Sequence, residues 1–124
     1  MNQSNQYVAF YIDERQYALP LLSVERIVRM VEITPLPKAL EIVHGVINLE
    51  GRVIPVIDLR QLFDFPKRDI ELSDKLIIVN TSNFTLALWV DEVSGIIEPS
   101  EKELAEAKGI MHGIEYAKNV VKFE

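Results

Sequence analysis

The chain has 124 residues, enough for a single domain (residues 1–124) that hides roughly two-thirds of its unfolded surface, and its 48% hydrophobic content excludes disorder as the default state. A net charge of −6, with 13 Lys and Arg scattered from Arg15 to Lys122, argues against the gathered basic patch from which a nucleic-acid binder draws its affinity. The absence of cysteine excludes disulfides and thiolate chemistry.

The polar start, MNQSNQ, has no basic stretch followed by an apolar core, and no run approaches the ~18 apolar residues of a membrane span. The expected location is cytoplasmic, without membrane insertion. Tyr7–Ile12 is almost wholly apolar, as a strand covered on both faces would be. Tyr17–Leu22 follows after Asp13-Glu14-Arg15, so the two predict a hairpin with a polar turn. Beyond Ser23, a plausible N-cap, Val24, Ile27, Val28 and Val31 recur at i, i+3, i+4 and i+7. That spacing predicts a helix, limited to two turns because β-branched residues are mediocre helix formers. Thr34-Pro35-Leu36-Pro37 must be extended.

Gly45–Leu49 and Arg52–Ile57 flank Glu50-Gly51 and predict a second hairpin. Gly51 supplies either a positive φ or room for close backbone contact at its tip. Pro55 cannot donate to a ladder and predicts an edge strand or a bulge. Asp58 with Gln61 matches a capping box, placing Leu59, Leu62 and Phe63 inward. Leu76–Val79, Phe84–Val90 and Val93–Ile97 are further strand candidates, the first two separated by the turn-forming Asn80-Thr81-Ser82-Asn83. Ser100 and Glu103 form a capping box, Gly109 is a natural C-cap, and strand character returns at Val120-Val121. Many short strands, few helices and no βαβ alternation predict an all-β fold with short helical inserts, a barrel or paired barrels.

Residues able to do chemistry are scarce. Glu41 and His44 have the spacing of a carboxylate-bridged metal site, but such a site needs a second copy, and Gly45 opens a strand instead. A solvent-facing or hydrogen-bonded His44 is the better reading, and His112 has no metal-spaced neighbour. Asp91 and Glu92, adjacent on a strand, point to opposite faces and cannot act as an acid–base pair without a bulge, so surface solvation or a backbone cap is preferred for them. Lys67-Arg68, beside Asp64 and Asp69, reads as a solvated loop. No phosphate-binding or nucleophile motif is present, so neither an enzyme nor a cofactor is expected. The aromatics of the hairpins lack interleaved basic residues, which leaves an oligonucleotide-binding barrel a minor alternative; Trp89 reads as core.

The stretch Gly45-Val46-Ile47-Asn48-Leu49-Glu50-Gly51-Arg52-Val53-Ile54-Pro55-Val56-Ile57-Asp58-Leu59-Arg60 resembles the central signature of CheW-like domains. Tyr17-Ala18-Leu19-Pro20, Val24-x-x-Ile27, Pro35-x-Pro37 and Val90-Asp91-Glu92-Val93 resemble further family segments in the same order, so the likeness covers roughly residues 7 to 124. The resemblance implies two small five-stranded β-barrel subdomains sharing an apolar core. It also implies a scaffold that couples chemoreceptors to a CheA-like histidine kinase, one face meeting the kinase and a groove receiving the receptor's cytoplasmic hairpin tip. A regulatory module of a kinase outside chemotaxis is the alternative. Carried over, Val24 and Ile27 line the receptor groove, and Gly45, Asn48, Glu50 and Gly51 shape the adjoining hairpin. Core packing explains Val24 and Ile27 about equally well.

Two departures stand out. Glu50 takes the place of a common Arg, and Arg26 that of a common Glu, which suggests a reciprocal charge exchange with a matching partner. On that expectation Glu50→Arg weakens binding to the native partner. Family members also continue with one more strand and a terminal helix, whereas this chain stops at Phe123-Glu124. The expectation is a barrel short of its last strand, self-associating through the open edge.

Overall fold

The protein is described here by a computed structural model covering residues 5–107 and 121–123. Strands β1 (Tyr7–Ile12) and β2 (Arg15–Pro20) form the first hairpin. Its turn residues Asp13 and Glu14 have φ of 49° and 69°. Positive φ at both central positions is the turn geometry whose twist matches that of paired strands.

The predicted helix after Ser23 is instead strand β3 (Val24–Arg29), preceded by a 3-10 turn at Leu21–Ser23. The misreading has a geometric cause. β3 pairs with β6 (Lys75–Asn80), and its register shifts between Val24 and Arg26. With one residue bulged out, Val24 stands opposite Val79 and Ile27 opposite Ile77, so both point to one side of the sheet. An i, i+3 pair on one face is what a helix would also produce.

Strands β4 (Val43–Leu49) and β5 (Arg52–Asp58) make the second hairpin, followed by the one-turn helix α1 (Leu59–Leu62). As the capping signal predicted, the Asp58 carboxylate accepts hydrogen bonds from the backbone N–H of Arg60 at 3.0 Å and of Gln61 at 3.4 Å. Strands β7 (Thr85–Val90) and β8 (Glu92–Ile97) lead to helix α2 (Glu101–Ala107), and β9 (Val121–Phe123) ends the described chain. The Ser100–Glu103 capping box closes in both directions, at 3.0 and 3.1 Å. Gly109, His112 and Val120 lie outside the described residues.

The strands form two sheets, of order β8-β1-β2-β9 and β3-β6-β7-β5-β4. The fold is thus all-β with two short helices, divided among the described residues into four and five strands. β6 and β7 carry the central packing. Their alternate residues Ile77, Val79, Leu86, Leu88 and Val90 face the first sheet and meet Phe10, Ile12, Tyr17 and Leu19 in a shared core. The intervening Leu76, Ile78, Ala87 and Trp89 fill the inside of the five-stranded sheet with Ile47, Ile54 and Val56. Burial on both faces is why these strands read as unbroken apolar runs.

Pro55 does not mark an edge, since β5 lies between β7 and β4, but the predicted irregularity is close by, where the β4–β5 register shifts between Val43 and Gly45. Pro55 stands opposite Val46, which bonds Thr34 through both its N–H (2.9 Å) and its carbonyl (2.8 Å), and the β5–β7 ladder begins only at Val56. No neighbouring strand asks Pro55 for an N–H. The Thr34–Val46 bridge joins the segment after β3 to β4, bringing the two outer strands of the five-stranded sheet together. Gly45 makes this approach possible: a Cβ there would sit 2.3 Å from the Thr34 carbonyl oxygen.

Candidate protein-docking site

Of the residues expected at an interface, all but Gly45 fall around one end of the five-stranded sheet. Val24 is half-buried against the shared core. Ile27, on the same side, lies beyond the first sheet's cover and is 41% exposed. Across the sheet end is the β4–β5 turn, where Glu50 and Gly51 have φ of 53° and 85°. A Cβ on Gly51 would meet nothing within 4 Å, so its positive φ is what the turn requires of it. Asn48, exposed on β4, accepts the Gly51 N–H at 3.0 Å through Oδ1, which stiffens the tip. Gly45 stands apart from this group; its place is the Thr34 crossing.

Four charges tie β3 to the tip. Arg26 pairs with Glu50, and Arg52 grips the Glu25 carboxylate with both guanidinium nitrogens, one at 3.2 Å. Arg26 Nε also lies 3.8 Å from Glu25. The exchanged pair Arg26 and Glu50 therefore meets within this molecule, in a run Glu50–Arg26–Glu25–Arg52 of alternating sign. The hydrogen bond from Arg52 holds the Glu25 carboxyl below its usual range, and the same contact raises Arg52. All four side chains are partly solvated, so water and salt screen the pairs and their contribution to stability is small. Their effect is chiefly to position the tip.

A second ionic cluster escaped the sequence reading. Arg60 on α1, only 3% exposed, donates to Asp13 Oδ1 and Asp91 Oδ1, each at 2.6 Å. Arg68 donates to Asp91 at 2.8 Å and to both oxygens of Asp74, at 2.7 and 2.9 Å. Asp74, 1% exposed, also accepts the Trp89 indole N–H and the Glu71 backbone N–H, both at 2.9 Å. Arg68 is thus no solvated loop residue, while Asp91 caps the backbone as expected, accepting the Asp13 N–H at 2.9 Å, and in addition holds both arginines. The available signal was a charge set among apolar neighbours, as in Leu59-Arg60 and Val90-Asp91, each inside a recognised segment yet without an assigned task. Burial works against the Asp74 charge, but hydrogen bonds from Arg68, Glu71 and Trp89 outweigh it and lower its pKa. His44, exposed on β4 as expected, tilts its ring against Trp89 at 5.1 Å between centroids. Among the described residues no cluster of His, Asp and Glu is placed to hold a metal ion, and no helix is long and apolar enough to cross a membrane.

Two β-sheets about a shared core, with Ile27 exposed on β3 beside a stiffened hairpin tip, define an all-β module with a candidate docking end. The CheW-like domain family model matches residues 6–124, and the chain belongs to that family. Among relatives, the chemotaxis protein CheW of Thermotoga maritima is 33% identical over 97 residues, covering 78% of this chain and 64% of that protein. The present chain thus spans somewhat less than two-thirds of that relative's length. The chemotaxis protein CheA of Borreliella burgdorferi is 34% identical over 99 residues, covering 77% of this chain and 11% of that one. The crystal structure of the scaffolding protein TtCheW from Thermoanaerobacter tengcongensis matches with a TM-score of 0.74 and 35% identity, covering 81% and 68% of the two chains.

Proposed function

We propose that this chain is a non-catalytic scaffold in chemotaxis-type signal transduction, joining receptors to a CheA-like histidine kinase through protein–protein contacts. Family membership and the names of its relatives, a scaffolding protein among them, support the reading. The observation that carries it to particular residues is the β3 bulge. It turns Val24 and Ile27 to one side of the sheet and leaves Ile27 open beside the stiffened Asn48–Glu50–Gly51 tip.

In this reading Ile27 is the apolar anchor of the receptor contact, with Val24 beneath it as support. The tip supplies polar and main-chain contacts at the rim. A scaffold of this kind passes on state by binding two conformations of a partner with different affinity.

The test is binding of the purified chain to a receptor cytoplasmic hairpin and to the CheW-like regulatory domain of a CheA-type kinase, measured by calorimetry. Ile27→Asp places a charge where an apolar contact forms and should weaken receptor binding at least tenfold with the melting temperature unchanged. Equal affinity in that variant would rule out Ile27 as the anchor, and no binding of either partner by the unaltered chain would rule out the scaffold reading.

A further inference from the structure

The ionic cluster, Trp89 and His44 form one unbroken line of contacts between two surfaces on different sheets. It begins at Asp13, exposed in the β1–β2 turn of the four-stranded sheet. It passes through Arg60 to Asp91, through Arg68 to Asp74, and from Asp74 to the Trp89 indole at 2.9 Å. The Arg68 guanidinium also lies over the Trp89 ring, 5.9 Å from its centroid. Trp89 touches His44, which is exposed on β4, one of the two outer strands of the five-stranded sheet.

We infer that this line is a coupling relay, through which a contact made at the β1–β2 turn alters the outer face of β4 and the reverse. Three features carry the inference. The interior members Arg60 and Asp74 are almost wholly buried, where charged hydrogen bonds are screened little and moving one partner strands the other. Each link shares a residue with the next: Asp91 serves both arginines and Arg68 serves two carboxylates. Arg60 and Arg68 each hold two carboxylates on one planar guanidinium, so a shift at one carboxylate changes the geometry offered to the other. The apolar shared core fastens the same two sheets but has no such directional contacts.

The relay stands on the isolated chain, while its use in signalling rests on the scaffold reading, so the test needs no partner. Trp89 is the only tryptophan, and its indole N–H gives a single identifiable nuclear magnetic resonance signal. Asp13→Asn should move that signal and the backbone amides flanking His44, whereas Glu14→Gln, in the same turn but outside the line, should leave them in place. Where Asp13→Asn fails to fold, Arg60→Lys, which keeps the charge but loses the fork, takes its place. The second measurement combines Asp13→Asn with Trp89→Phe in urea unfolding. Independent sites lose stability additively, to within about twofold in the equilibrium constant. The relay instead predicts that the double variant departs from the product of the single losses by about threefold or more. An unmoved Trp89 signal, or additive losses, would overturn the relay and leave a set of independent ion pairs; the binding experiment on the unaltered chain would stand unaffected.

Discussion

Arg60 is a full positive charge in a nearly solvent-free position, held by two carboxylates that face it from different parts of the chain. Arg60→Met keeps much of the apolar stem but leaves Asp13 and Asp91 facing each other. Removing one partner of a buried ion pair costs about 3–5 kcal/mol, and the partial exposure of Asp13 places the expected loss near the lower figure, about 3 kcal/mol, read as a lowered urea midpoint. Asp74 contributes to acid sensitivity. Its folded pKa lies below the ordinary 3.8, so its contribution is fully present above that value and is lost as pH falls through the lowered one. Asp74→Asn should lower stability at neutral pH and flatten the stability curve below about pH 4; an acid-unfolding curve as steep as that of the unaltered chain would contradict this. Gly45 limits by size. Gly45→Ala forces the Thr34 segment away and should cost about 1–3 kcal/mol, measured by thermal unfolding.

Among the elements, β3 and the β4–β5 hairpin are joined by paired charges, Arg26 with Glu50 and Arg52 with Glu25. Glu50→Arg sets a cation against Arg26, close to Arg52, and Arg26→Glu sets a carboxylate against Glu50 beside Glu25. Each single reversal should speed hydrogen exchange of the Gly51 amide, and the double reversal should restore the slow rate. If the double variant exchanges as fast as either single one, the pair does not hold the tip. The bulge in β3 is the more instructive element. Its one extra residue gave Val24 and Ile27 a helical spacing, and only the neighbouring strand β6, with its own alternating two-faced burial, imposes the extended form.

Across the whole molecule, the two sheets share one apolar core, and that sharing predicts one cooperative unit. Leu88 packs at their junction, and Leu88→Ala should cost about 2–5 kcal/mol. Unfolding should remain a single transition, with Trp89 fluorescence in the five-stranded sheet and far-ultraviolet circular dichroism falling together. Separate midpoints would mean that the sheets fold independently. Much of this architecture was legible in the chain: the two hairpins and the helix caps are local features, set by turn residues and by side chains within reach of their own backbone. The apolar alternation of β6 and β7 was visible as unbroken hydrophobic runs, but not the sorting of their residues into two cores. That sorting, the strand at Val24–Arg29, the place of Pro55 inside a sheet and the partners of Arg60, Arg68 and Asp74 came only from the tertiary structure. Each depends on groups brought together from distant positions, as Asp13, Arg60 and Asp91 are, and local spacing carries no information about which distant group will fill a vacant face or answer a buried charge.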